Sequence, residues 1–372
     1  MKEYLLLTPG PTNVPKRILD KTATPMIHHR TKEFQAILER VNSNLRKVFC
    51  TRHPVMTFAA SGTGAMEASI SNLFSKDDTV ICVSAGKWGE RYRHIAKAYG
   101  LNVKSYEVPY GEAMTAAQIR EALKEHPAAK AVLVTLCETS TAVTHPIQEI
   151  AAVTRGSSAL LVVDAVSGLM CDPFLMDEWG VDVVVCGSQK GLMLPPGLAF
   201  VALNDRGAQA ISHSNLPKFY FNFEETLKAI KKNDTPFTPA VSLIRGLDEA
   251  LAMLLEEGVE NVWKRHAEVA RFVREKINAL GLSLFSKAPS NGLTAIVMPE
   301  NIVSGDVIKI MRDTHHVVMA DGQGQELQGK IVRFAHMGSA CTTADAKRGL
   351  EAFLDAMSKS GFKPHAHHCS HC

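Results

Sequence analysis

Three short stretches of the 372-residue chain carry residues whose types and spacing could do chemistry. In "VVVCGSQKG" (183–191) a β-branched run ends at Gly187 and delivers Lys190 just beyond it. In "ALLVVDAVSG" (159–168) an apolar run ends in Asp164. In "FAASGTGAMEASISNLF" (58–74) a short strand leads into Ser61, Gly62, Thr63 and Gly64, and Met66, Ile70, Leu73 and Phe74 then share one helical face. Small residues at a strand-to-helix turn let backbone N–H groups approach an anion, and a helix N-terminus favours negative charge. A Walker A loop is excluded, because no Gly-Lys-Ser/Thr follows. Taken singly, each stretch has a plainer reading: a tight turn, a helix-capping carboxylate, a surface lysine.

The elements that must position these residues make the combination informative. Apolar runs at Thr57–Ala60, Thr79–Ser84, Val103–Val108, Ala131–Leu136, Leu160–Val163, Val181–Cys186 and Leu198–Leu203 read as strands. Between them lie amphipathic stretches such as Glu90–Tyr99, Ala116–Lys124 and Ile147–Arg155. This alternation predicts an α/β fold with a mostly parallel seven-stranded sheet between helices. Ligands bind such sheets beyond the carboxyl ends of the strands, where Asp164, Lys190 and the 61–64 loop all fall. An anion cradle, a carboxylate and an amine at one sheet edge point to pyridoxal 5′-phosphate. The lysine would condense with the aldehyde, and the aspartate would hold the pyridine nitrogen protonated. Burial at the strand exit would lower the lysine pKa enough to make it a nucleophile. Trp88 could stack on the ring, and Thr139 with Ser140 could bond its hydroxyl. Arg333, inside the apolar run "KIVRFAHMG", suits a substrate carboxylate.

After residue 240 the pattern changes. Leu243–Leu255 and Val259–Leu280 read as long helices parted by Gly258. Strands at Leu282–Phe285, Leu293–Val297 and Lys330–Phe334, with helices Gly305–Thr314 and Thr343–Met357, complete a smaller α+β unit. The division expected is an N-terminal arm (1–15), extended by Pro9, Pro11 and Pro15, a large domain (16–258), a small domain (259–362) and a tail (363–372). The tail offers His365, His367, His368, Cys369, His371 and Cys372 as potential metal ligands. It is short and lacks a second ligand pair upstream, so it reads as a disordered segment rather than a metal-binding module.

A net charge of +3 with scattered basic residues gives no footprint for nucleic acid or an anionic membrane surface. No apolar run is long enough to span a bilayer. The start Tyr4–Leu7 is too short for a signal peptide, and cysteines dispersed singly suit a reducing compartment. Cytoplasm is the expected location.

Together these motifs resemble the class V aminotransferases of fold type I, in the branch of alanine–glyoxylate and serine–glyoxylate aminotransferases. The marks are "TPGPTNVP" (8–15), "HHRTKEF" (28–34), "SGTGAMEA" (61–68), "AGKWGERY" (85–92), "ETSTA" (138–142), "VVDAVSG" (162–168), "GSQKGLMLPPG" (187–197), "TPFTPAVSL" (235–243) and "RFAHMG" (333–338). The resemblance implies a ping-pong transaminase that moves the amino group of alanine or serine, or of aspartate, to glyoxylate or pyruvate. It implies a homodimer with active sites at the interface. Lys190 would form the Schiff base and Asp164 would pair with the ring nitrogen. Trp88 and Val166 would cover the two ring faces. Ser61, Gly62, Thr63, Gly64 and Gln189 would bind the phosphate, with Thr238 reaching the phosphate of the partner subunit. Thr139 would sit near the ring oxygen. Arg333 would clamp the substrate carboxylate, with Gly10 and Asn13 lining the pocket. His336 and Met337 stand where small or aliphatic residues are common, and a reshaped pocket is expected from them. Thr235 stands where relatives often carry tyrosine. Alternatives on the same scaffold are transamination of 2-aminoethylphosphonate or ureidoglycine, and a lyase or cysteine desulfurase using Cys341.

Overall fold

The computed structural model describes residues 3–363. The tail histidines and cysteines named above lie outside them. Seven strands form the central sheet in the order 55–59, 198–203, 183–187, 160–164, 131–135, 79–84 and 102–107. Only Leu198–Leu203 runs against the others, pairing antiparallel with both of its neighbours. The five strands from 131–135 to 55–59 form the middle and one side of the sheet. Residues 131–135, 160–164, 183–187 and 198–203 are buried throughout, as strands covered on both faces must be. The edge strand Asn102–Glu107 alternates with exposed positions.

The helices supply the two covering layers. Helix Lys32–Val48 buries Phe34, Ile37, Leu38, Val41, Leu45 and Val48, a three-and-four spacing that makes one apolar stripe. Its start is fixed by Thr31, whose hydroxyl accepts from Phe34 N–H. This helix, with Val241–Glu257 and Ile147–Thr154, packs into one core. Helices Gly62–Leu73 and Lys87–Ala98 pack with Phe223 into the core on the other face. Gly258 ends helix Val241–Glu257 and opens helix Val259–Ala279 at a left-handed φ of 89°.

The C-terminal part builds its own core around Val269, Val273, Ile296, Val307, Phe334 and Phe353. Its sheet orders 293–297, 331–335 and 320–321. Three expectations need correction. Leu282–Phe285 is not a strand: only Leu284 makes a single bridge, to Ile296. The helix read as Gly305–Thr314 is α-helical over Ser304–Ile310 and passes into a wider π turn over Met311–His315. The arm is not wholly without elements, because Leu5–Leu6 pairs parallel with Val317–Val318. Leu5 and Leu7 insert into the C-terminal core, and Ala335 N–H donates to the Leu7 carbonyl. Farther along, Thr12 N–H donates to Gln189. The arm therefore ties the C-terminal core to the sheet edge that carries the site.

Candidate active site

A cavity of about 780 Å³ opens at the carboxyl ends of the parallel strands, within the range of about 300–1,000 Å³ typical of small-molecule sites. Lys190 projects into it from the turn after strand Val183–Gly187. Ser188 fixes that turn, donating to Pro195 O at 2.8 Å and accepting from Leu198 N–H. The Lys190 amine lies 3.0 Å from Ser167 Oγ and 5.5 Å from the centre of the Trp88 ring. Burial lowers its pKa from 10.5 to about 8, against the opposing influence of Cys137 and Asp164. Gly10 of the arm packs on the lysine stem: a Cβ there would lie 2.8 Å from Lys190 Cε, and its φ of 112° is one that glycine alone adopts readily.

Asp164 ends the neighbouring strand and faces the same cavity. Burial raises its pKa from 3.8 to about 6, partly offset by the Val166 N–H that donates to Oδ1 at 2.9 Å. That bond shapes the turn 164–167, which places Val166 in the cavity wall and Ser167 beneath the amine. Gly62 lets the 61–63 loop close on this turn, since a Cβ there would meet Val166 Cγ2 at 2.6 Å.

Opposite, helix Lys87–Ala98 presents Trp88. Its N-terminus is anchored by Glu138, a fully buried carboxylate that accepts from the N–H groups of Trp88, Gly89 and Ser140 and from the Ser140 hydroxyl. Burial pushes the Glu138 pKa up, and these four donors work against that rise. Arg91, one turn along, lies 4.1 Å over the Trp88 ring and donates to Thr63 Oγ1 at 3.0 Å. From the C-terminal sheet, Arg333 donates through Nε to Asp321 O at 2.8 Å. Among the described residues no carboxylate forms an ion pair with Arg333 or Arg91.

The cavity thus brings together Gly10, Ser61, Gly62, Thr63, Trp88, Thr139, Asp164, Val166, Gln189, Lys190 and Arg333. It does not gather every candidate. Asn13 turns away, accepting from Leu6 N–H and donating to Tyr4 O, so it braces the arm. Gly64 belongs to the first helical turn, where an added Cβ would meet Ala60 and Phe221. Thr238 is exposed beside a separate cavity lined by Tyr220 and Phe237, and Thr235 bonds Phe237 O nearby. His336 and Met337 do not reshape the pocket wall. Both are buried behind it, His336 against Thr294 Oγ1 at 3.0 Å. Ser167 and Arg91 are absent from the residues singled out in the sequence. Ser167 could have been found from its place on the Asp164 turn; Arg91 carried no signal beyond helical spacing from Trp88.

The residues present fit pyridoxal phosphate. Trp88 Nε1 and Gln189 Oε1 are buried without partners. Ser61 makes no side-chain capping bond, and the first turn of helix Gly62–Leu73 holds no acidic residue. The anion cradle is thereby left open, with a carboxylate and a low-pKa amine lining the same cavity.

Fold and site define a fold type I enzyme that works with pyridoxal phosphate. The chain belongs to the class-V aminotransferase family, whose model matches residues 4–341, and it is a transaminase. It is 36% identical over 357 residues to an L-aspartate–glyoxylate aminotransferase of Paracoccus denitrificans, covering 93% of this chain and 89% of the relative. It is 35% identical over 346 residues to a serine–glyoxylate aminotransferase of Methylorubrum extorquens, covering 90% and 86%. An alanine–glyoxylate aminotransferase structure from Nostoc sp. superposes with a TM-score of 0.92 at 28% identity, covering 96% of both chains.

Proposed function

We propose that this enzyme transfers the amino group of a small amino acid, alanine, serine or aspartate, to glyoxylate or pyruvate, acting as a cytoplasmic homodimer. The observation that carries the reading is the largely buried Arg333 guanidinium, which faces the same cavity as Lys190 and Asp164 and forms no ion pair among the described residues. A buried cation without a counter-ion is costly, and a planar fork is matched by a carboxylate. Amino acids and 2-oxoacids both carry one. The glyoxylate-using relatives support the choice of acceptor.

Bound pyridoxal phosphate supplies an aldehyde carbon that takes up an amino group and a ring that draws electrons away from it. The chain does the rest. Ser61, Gly62, Thr63 and Gln189 would hold the phosphate end, with Arg91 kept beside them by its bond to Thr63. Trp88 and Val166 would cover the ring faces, and Asp164 would keep a proton at the ring nitrogen. Arg333 orients the substrate by its carboxylate. The Lys190 amine, neutral above about pH 8, would take the proton from the substrate α-carbon and deliver it to the carbon that bore the aldehyde.

A desulfurase reading has no support in the geometry. No described cysteine lines the cavity, and burial raises the Cys341 thiol to about 12. The homodimer is supported by an exposed aromatic patch in which Phe219, Tyr220 and Phe237 contact one another beside Thr238. The cytoplasmic assignment is supported by the described cysteines, all free thiols. No described helix is long and apolar enough to cross a membrane.

The test is an absorbance titration of the cofactor-loaded protein with alanine, serine and aspartate, followed by glyoxylate. One donor should discharge the band of the lysine-bound cofactor and glyoxylate should restore it, while Lys190→Ala shows neither change. A wild-type spectrum that none of the three donors alters would overturn the substrate assignment.

A further inference from the structure

We propose that Ser167 is the positioning residue for the Lys190 amine: its hydroxyl holds the nitrogen whenever the lysine is not joined to the cofactor, so that proton transfer begins from one fixed geometry. This rests on the reading of Lys190 as the catalytic lysine. Lysine has four rotatable bonds, and a free amine in a cavity of this size has many places to go. Its stem is held by Gly10. Among the described residues, Ser167 Oγ, at 3.0 Å, is the one hydrogen-bond partner of the Nζ atom.

Ser167 is itself held. Its Oγ lies 2.5 Å from Thr139 Oγ1, and both side chains are buried. A hydroxyl donates one hydrogen and accepts others. With the amine neutral, Thr139 donates to Ser167 and Ser167 donates to the nitrogen lone pair. With the amine protonated, both bonds reverse: the ammonium donates to Ser167, and Ser167 donates to Thr139. The pair therefore partners the nitrogen in both protonation states without moving a heavy atom. A carboxylate at 167 would pin the ammonium form, and an apolar residue would leave either form unpartnered. Thr139 adds a second link, because its carbonyl accepts from Arg333 Nη1 at 3.4 Å. Amine and carboxylate clamp are thus referred to the same short segment.

The other groups facing the amine are Asp164 on the same turn, Cys137 and Cys171 below it, Arg333 from the C-terminal sheet and the Trp88 ring face. Asp164 and Cys137 favour its charged form and Arg333 opposes it. None of them is hydrogen-bonded to the nitrogen.

Two readouts separate positioning from mere packing. In the apoenzyme, the pH dependence of Lys190 labelling by trinitrobenzenesulfonate, read by peptide mass spectrometry, reports on the amine alone. Wild type should show a midpoint near pH 8. In Ser167→Ala the midpoint should fall by roughly one pH unit, because a hydrogen bond to the charged form is the stronger one. In the loaded enzyme, Ser167→Ala should lower kcat by about 10- to 100-fold, leave the donor KM within about twofold, and enlarge the isotope effect with α-deuterated donor. Ser167→Thr, which keeps the hydroxyl, should restore both readouts. An unchanged labelling midpoint and isotope effect in Ser167→Ala would overturn the proposal, as would a Ser167→Thr protein as impaired as the alanine variant. Failure of the transaminase reading would appear separately, as a wild type that no amino donor alters.

Discussion

Asp164 and Lys190 both sit where their charged forms are disfavoured, and the bare protein bears that cost until ligand arrives. For Asp164 the sign is definite. Its folded pKa, about 6, lies above the unfolded 3.8, so its stabilising contribution is complete below pH 3.8 and is lost as pH rises through 6. The difference amounts to about 3 kcal/mol. Asp164→Asn apoenzyme should therefore melt higher than wild type at pH 7–8, with the gap closing towards pH 4, while its affinity for pyridoxal phosphate falls. Thermal denaturation across pH checks the first part and cofactor titration the second. For Arg333, replacement by Gln removes a charge-assisted pair with substrate carboxylate. A loss of about 2 kcal/mol predicts a rise in donor KM of about 30-fold with unchanged cofactor binding, measurable by steady-state kinetics. At this scale the sequence was most legible where a chemical residue interrupts an apolar run, as Asp164, Lys190 and Arg333 do. Ser167 and Arg91 gave no such contrast, since serine in a turn and arginine on a helix are ordinary. His336 misled for the opposite reason. It stands just after Arg333's strand, where small or aliphatic residues are common, yet the chain past Ala335 turns it into the core against Thr294.

Glu138 acts on an element. Its carboxylate closes the N-terminus of helix Lys87–Ala98 and so sets where Trp88 stands. Glu138→Leu would leave three backbone N–H groups without their acceptor in a buried site, a cost of about 3–5 kcal/mol. The expected outcome is a lower urea midpoint at unchanged m, together with weaker cofactor binding. Glu138→Gln, which keeps one acceptor oxygen, should lose about half as much. Elements with a single strong period were legible: Thr79–Ser84, Leu198–Leu203 and Leu293–Val297 have the bounds expected from their apolar runs. The false strand at Leu282–Phe285 and the unread pair Leu5–Leu6 with Val317–Val318 share a cause. Segments this short take their state from whichever partner lies alongside, which no local pattern encodes.

For the whole molecule, the exposed aromatic patch is the surface on which the proposed homodimer rests. Phe219 is 81% exposed, and Tyr220 and Phe237 are also exposed. On the proposed homodimer reading, introducing charge with Phe219→Asp and Tyr220→Asp should yield a monomer by sedimentation where wild type sediments as a dimer, and lower cofactor affinity, while leaving the far-ultraviolet spectrum intact. An unaltered sedimentation coefficient would overturn the assignment of this patch as the subunit contact, and a wild type that sediments as a monomer would overturn the homodimer itself. The α/β class was legible at this scale because buried parallel strands are apolar throughout. The route of the arm was not, since nothing within residues 1–15 names the distant strand it joins.

That route also governs the order in which the protein can become active during its synthesis. The arm is translated well ahead of the segments it joins: its strand partner is Val317–Val318 and its Leu7 carbonyl receives the N–H of Ala335. The strand pairing of Leu5–Leu6 therefore forms only after about 310 further residues have been translated. A nascent chain stalled before residue 317 can build the large sheet and display Lys190, but the wall of the cavity contributed by the arm has no strand to hang on. Cofactor captured by such an intermediate would be held without its cover.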